Sequence, residues 1–265
     1  MPSTQSEASH SPGGPASEAA GPETVPPAAF SPTRLAVLAL TAGLIAGLAS
    51  WLTGEATRTT FQPPLRPVTA MGVTIMQADV ADEVAAEVKN AALAFGVLGA
   101  AVGAALGLAG GLSRANARSA AASGLLGLLL GGAAGGLATF LCAPHYYRSV
   151  GEDPLSSDLL LPFLVHLGIG AAIGAAAGLA LGIGVGARRY AANGLIGGLF
   201  GAIVGVALYE FAGAFLFPLA KTPQPISAEW TTRLLAHLAI AAGVPAGAWL
   251  LVTQSGNRPA PARAD

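Results

Sequence analysis

Six stretches of about twenty mostly apolar residues, each bounded by charged or polar ones, leave this chain few folds to choose from. They run from Leu35 to Leu52, Ala91 to Leu112, Ala120 to Leu141, Leu159 to Val185, Ala191 to Leu216 and Leu234 to Val252. A helix needs about 20 such residues to cross the roughly 30 Å hydrocarbon core of a bilayer. The helices of a soluble domain carry an apolar stripe and a polar face, and these segments have no polar face. Six of them in one chain leave nothing amphipathic to cover a water-soluble core. Only 10% of the 265 residues are charged, against about 25% in ordinary soluble domains. The expected fold is therefore all-α, a polytopic integral membrane bundle of about six transmembrane helices.

The two ends have another character. Residues 1–33 are rich in Pro, Ser, Ala, Gly and Glu and hold almost no large apolar side chain before Phe30. Such a composition buries too little surface to offset its ordering entropy, so a disordered tail is expected there. It lacks the basic start and apolar core of a signal peptide. Residues 34–254 form the transmembrane domain, with the longest external loop over 54–89, and residues 255–265 form a second short tail. Within the long loop, Pro63, Pro64 and Pro67 suggest an irregular stretch. Val80, Val84 and Val88 then recur every fourth residue among acids, which predicts an amphipathic helix leading into the second span.

Orientation follows from basic residues in short loops. Arg114 and Arg118 lie between the second and third spans, and Arg188 and Arg189 between the fourth and fifth, with no acid in either loop. Arg34 precedes the first span; Arg258 and Arg263 follow the last. The remaining loops carry Glu55, Asp79, Asp82, Glu83 and Glu87, then Glu152, Asp153 and Asp158, then Glu229, along with some bases, including Arg58, Arg66, Arg148 and Lys221. Both termini are expected in the cytoplasm, with the acidic loops outside a plasma membrane.

The chain also resembles itself. The second span reads FGVLGAAVGAALG from Phe95, the fourth HLGIGAAIGAAAG from His166, and the sixth HLAIAAGVPAGAW from His237, each 71 residues after the last. The odd spans end GLASWL at Gly47, GLATFL at Gly136 and GVALYE at Gly205, placing Trp51, Phe140 and Tyr209 at equivalent positions. The pattern predicts three copies of a helical hairpin. Glycines at every fourth position, such as Gly99, Gly103, Gly107 and Gly111, or Gly170, Gly174, Gly178 and Gly182, make flat faces for glycine-zipper packing. Those faces serve either packing within one bundle or assembly into a homo-oligomer.

Ionisable groups near the spans are few. His166 and His237 occupy equivalent repeat positions, Glu210 ends the apolar part of the fifth span, and Arg233 lies one turn before His237. All four fall at the same outer edge. They form either an outward-facing polar cluster that binds a proton, ion or small ligand, or ordinary side chains among headgroups and water. Cys142 and His145 lie near that edge too, but two ligands do not make a metal site. With one cysteine, no intrachain disulfide forms. Pro245 is expected to kink the sixth span.

Catalytic signatures are missing: there is no HExxH, GxSxG or GxxxxGK[ST] motif. The GxxxG runs lie inside apolar helices and lack the preceding strand of a dinucleotide loop. A net charge of −1 with no dense basic run argues against nucleic acid. The expectation is a non-enzymatic membrane protein without cofactor or metal, partnered by the lipid bilayer. Its role is structural or in assembly, or else it is a channel or transporter for a small solute or ion.

Overall fold

The computed structural model describes residues 31–152, 160–218, 220 and 222–256. The expected tails before Ser31 and after Gly256 lie outside the described residues, as do Asp153, Asp158, Leu159 and Lys221. Six long helices account for most of the described chain: α1 (Pro32–Ala56), α2 (Val80–Ser113), α3 (Ala117–Glu152), α4 (Leu160–Val185), α5 (Arg188–Leu216) and α6 (Trp230–Gly256). All six are long and apolar enough to cross a membrane, with mean hydropathy of 1.8 to 2.1 over their best windows. The fold is an all-α polytopic bundle.

Local chemistry sets several helix ends. Ser31 caps α1 by accepting from the Arg34 amide, with Pro32 in the first turn, where its missing N–H is no loss. Asp79 caps α2 through the Ala81 amide, and Asp82 and Glu83 follow in the first turn, complementing the helix dipole. Asn116 accepts from the Ser119 amide at the start of α3. Beyond α4, Gly186 takes φ 98° and its amide donates to Gly182, a left-handed stop that glycine adopts without strain.

Two elements exceed the sequence expectation. At 34 residues α2 extends about 51 Å, so the valine-patterned segment and the second span are one unbroken helix whose first turns lie beyond the apolar window. Likewise α3 runs past Leu141 through Cys142, Pro144 and His145 to Glu152. In α6 the helix continues through Pro245 to Gly256. The expected kink there does not interrupt it, and the proline ring instead packs beside Gly43 of α1.

The long loop corrects the expectation of an irregular stretch. Residues Leu65–Ala70 (β1) and Val73–Ala78 (β2) pair as an antiparallel hairpin, with Ala70 opposite Val73. Met71 and Gly72 form the turn with φ of 54° and 79°. Positive φ at both turn residues matches the right-handed strand twist, and the second favours glycine. The β-branched run through Val73, Thr74 and Ile75 supplies the strand character, and in a two-stranded sheet Pro67 sits on an edge strand, where proline is tolerated. Arg66 pairs with Asp82 of α2 at 3.0 Å, and the Asn90 side chain bonds both the amide and the carbonyl of Phe61. The hairpin is thereby tied to the start of α2.

The helices close into a ring, each touching its sequence neighbours and α1 touching α6, while α2, α4 and α6 also meet one another. The even helices are inside. Of their apolar windows 50%, 56% and 44% are buried, against 33%, 22% and 33% for α1, α3 and α5. Close approach is built on small residues. A Cβ at Gly99, Gly103 or Gly107 of α2 would lie 2.1 Å from a backbone oxygen of α3, and one at Gly178 or Gly182 of α4 would lie 2.0 Å from one of α5. Leu98, Val102, Leu106, Ile169, Ile173 and Leu181 fill the centre. The end holding the Arg114 and Arg188 turns is called the tail end below, and the other the hairpin end.

Candidate functional site

At the hairpin end the small residues give way to polar side chains. On α1, Trp51, Gly54 and Glu55 share one face by i, i+3 and i+4 spacing, as do Arg233, Ala236, His237 and Ile240 on α6. These two faces, with Ala94 and Phe95 of α2, His166 of α4, Val206 and Tyr209 of α5 and the segment Pro225 to Ser227, surround one cavity of about 40 Å³. The three residues that the repeat pattern equates, Phe95, His166 and His237, all line it. The aromatic rings of Phe95 and His237 lie parallel within 9°, with centroids 6.4 Å apart.

Arg233 holds the mouth together. A cation in the first turn of a helix opposes the helix dipole, and Glu55 offsets it. The guanidinium meets the Glu55 carboxylate through Nε at 2.5 Å and Nη2 at 2.7 Å. Its Nη1 donates to the carbonyls of Ser227 and Ala228 at 2.8 and 2.7 Å. The fork geometry suits both tasks. One side chain thus ties α1, α6 and the segment before α6 into a rim, and the exposed Arg58 stands beside it. Behind the rim, Ser227 donates to the Ala220 carbonyl and bonds the Thr232 hydroxyl.

The two histidines are both buried and differently committed. The Nδ1 of His237 lies 2.8 Å from the Arg233 carbonyl. A carbonyl only accepts, so the hydrogen-bond network assigns the proton to Nδ1. Its Nε2 has no hydrogen-bond partner among the described residues, and neither does Nε1 of Trp51. His166 is satisfied on both sides: Nδ1 is in close contact with Glu210 Oε1, and Nε2 lies 3.2 Å from the Gln224 carbonyl. Both ring nitrogens therefore face an oxygen, one of a carboxylate and one of a carbonyl. The Tyr209 ring packs edge-on against His166, and its hydroxyl reaches the Thr222 carbonyl at 3.4 Å.

Of the four residues singled out in the sequence, the structure brings His166, His237 and Arg233 to one cavity and sets Glu210 apart. Glu210 pairs with His166 but lines a separate groove with Leu160, Phe163, Phe211 and Phe215. Arg233 pairs with Glu55, not with Glu210. Glu55 and Trp51 carry the site without having been assigned to it. Trp51 and Tyr209 were legible as equivalent aromatics, whereas the third of that set, Phe140, is exposed. Nothing local in the sequence links Glu55 to Arg233. Cys142 is a free thiol, and no group of three His, Cys, Asp or Glu among the described residues is placed to hold a metal ion.

Fold and site together define a polytopic α-helical membrane protein with a small, mostly apolar cavity bordered by a few polar side chains near one end of its bundle. Comparison with protein-family models, characterised proteins and solved structures gives no match.

Proposed function

We propose that this is a non-enzymatic membrane protein that binds a small solute in the cavity between Phe95, His166 and His237. One observation carries the reading: His237, whose Nε2 is buried and unpartnered, lines that cavity together with Trp51, whose Nε1 is likewise unpartnered. A buried polar atom left unpaired costs about 1–3 kcal/mol, and a mostly apolar pocket with a few convergent polar atoms is the usual form of a small-molecule site. The non-enzymatic reading rests on the missing catalytic motifs. We read the molecule as three repeated hairpins with their glycine zippers turned inward. In that reading the equivalent positions Phe95, His166 and His237 meet because they lie at equal depth around one axis. By the basic-loop argument both termini are cytoplasmic and the cavity faces outward across the plasma membrane.

A second reading, a structural or assembly role, is favoured by the tail half, where α2, α3, α4 and α5 approach backbone to backbone. That closeness also favours binding over a channel or transporter, because a conducting path needs room through both halves.

The test uses Gly54. A Cβ there would sit 3.9 Å from His237 Nε2 and 4.0 Å from the Ala94 Cβ, so alanine fits while filling the cavity. Small solutes are expected to raise the unfolding temperature of the wild-type protein in nanodiscs saturably, and Gly54→Ala to abolish that rise. Equal responses in both proteins would refute the cavity as the binding site.

A further inference from the structure

The chemical class of the solute can be read from the polar atoms that face the cavity, an inference that rests on the binding reading above. We infer that the cavity takes an uncharged, hydroxyl-bearing small molecule, which accepts from Trp51 Nε1 and donates to His237 Nε2.

Three observations carry this. First, the unpartnered atoms are complementary. Indole Nε1–H is a donor only. With Nδ1 of His237 committed to the Arg233 carbonyl, the neutral ring offers Nε2 as an acceptor. A hydroxyl group, which both donates and accepts, satisfies this pair. A carboxylate does not donate, and an ammonium does not accept. Second, the one ion pair in the cavity wall is already formed: Glu55 neutralises Arg233, and Arg58 is exposed at the mouth. A charged solute at the apolar depth of the cavity would lose its hydration, and an unpaired charge in apolar surroundings is strongly disfavoured. Third, the remaining walls, Phe95, Val206, Ile226 and Ile240, are apolar, which suits a short carbon skeleton. A volume of about 40 Å³ admits only a few heavy atoms.

The hydroxyl has two sources, a free alcohol or polyol and the glycerol headgroup of a lipid. Both present the same chemistry.

The experiment follows the indole N–H signals of the full chain, 15N-labelled at tryptophan, in phosphatidylcholine nanodiscs. Ethanol, ethylene glycol and glycerol are the hydroxyl probes, with acetate and methylammonium as charged comparators. The Trp51 signal, assigned by its loss in Trp51→Phe, is expected to shift saturably with a hydroxyl probe. Trp249, whose Nε1 donates to the Pro32 carbonyl at 3.0 Å, serves as the unmoved reference. His237→Phe keeps the ring and removes Nε2, and apparent affinity should fall about tenfold, as for one lost hydrogen bond. Gly54→Ala is expected to abolish the shift without replacing a polar side chain, which guards against misfolding of the histidine variant. A Trp51 shift in discs containing diacylglycerol, whose headgroup is an uncharged glycerol hydroxyl, with no probe added, assigns the hydroxyl to lipid and supports the class. A saturable response to acetate or methylammonium but not to any alcohol would overturn the class and leave the cavity as a binding site. No saturable response to any probe would overturn both.

Discussion

The two ends of the bundle are built from the same helices and behave oppositely. At the tail end, a Cβ on Gly107 would lie 2.1 Å from the Ser123 oxygen and one on Gly110 2.3 Å from the Leu181 oxygen. The polar side chains buried there are satisfied: Ser113 donates to the Gly110 carbonyl at 2.7 Å, and Ser123 reaches the Gly107 and Ser119 carbonyls at 2.7 and 2.6 Å. At the hairpin end, the nearest atom to a Cβ on Gly54 is 3.9 Å away, and the space is bordered by two unpartnered nitrogens. Glycine removes volume in both places. Where two glycine faces oppose each other, the backbones close the gap. Where a glycine faces bulky rings held apart by an ion-paired rim, a cavity remains.

The largest effect that would test this contrast is expected between α4 and α5. A Cβ on Gly174 would lie 2.3 Å from the Gly198 oxygen, so Gly174→Leu should force the two helices apart. A loss of about 3 kcal/mol or more is expected, at or above the upper end of overpacking effects, while Leu179→Ala nearby should be milder. Thermal unfolding in detergent measures both, and a Gly174→Leu protein as stable as the parent would break the comparison. Next in size is Arg233→Met, which leaves the Glu55 carboxylate and two carbonyls without their donor. A loss of about 1–3 kcal/mol is expected, toward the lower part because Glu55 is partly exposed to solvent. Adding Glu55→Gln should restore part of it, and a double variant no better than the single would show that the ion pair does not hold the rim.

Gly54→Ala is expected to act in the opposite direction. Removing a glycine from a helix that has room for the methyl group gains about 0.5–1 kcal/mol, so this variant should unfold later than the parent even as it blocks solute binding. A destabilised Gly54→Ala protein would mean that the hairpin end is as tightly closed as the tail end. The smallest structural effect belongs to the orientation test. A cysteine at Gly72, in the exposed turn of the β-hairpin, should react with an impermeant reagent in intact cells. One at Asn116, in the turn between α2 and α3, should be protected. The reverse labelling would turn the cavity toward the cytoplasm.

What was legible in the sequence had a local cause. The six spans follow from apolar runs of membrane length. Phe95, His166 and His237 stand out because 71-residue spacing is visible without coordinates. The hairpin was missed because three prolines dominated the reading of a segment whose turn, Met71–Gly72, is only two residues long. The length of α3 was missed because its apolar run ends at Leu141, whereas the helix continues through Pro144 to Glu152.

The sequence by itself determined that this chain lives in a membrane as a helical bundle, because hydrophobic run length is a one-dimensional property that the bilayer thickness reads directly. Only the tertiary structure decided which polar groups become partners. Arg233 lies closer in the chain to Glu210 than to Glu55, yet α1 packs on α6 and presents Glu55 to the guanidinium, 178 residues away, while α5 turns Glu210 toward His166. Ion pairing falls off within a few ångströms, so partners follow helix rotation and neighbour order, and those are settled by the packing of all six helices together.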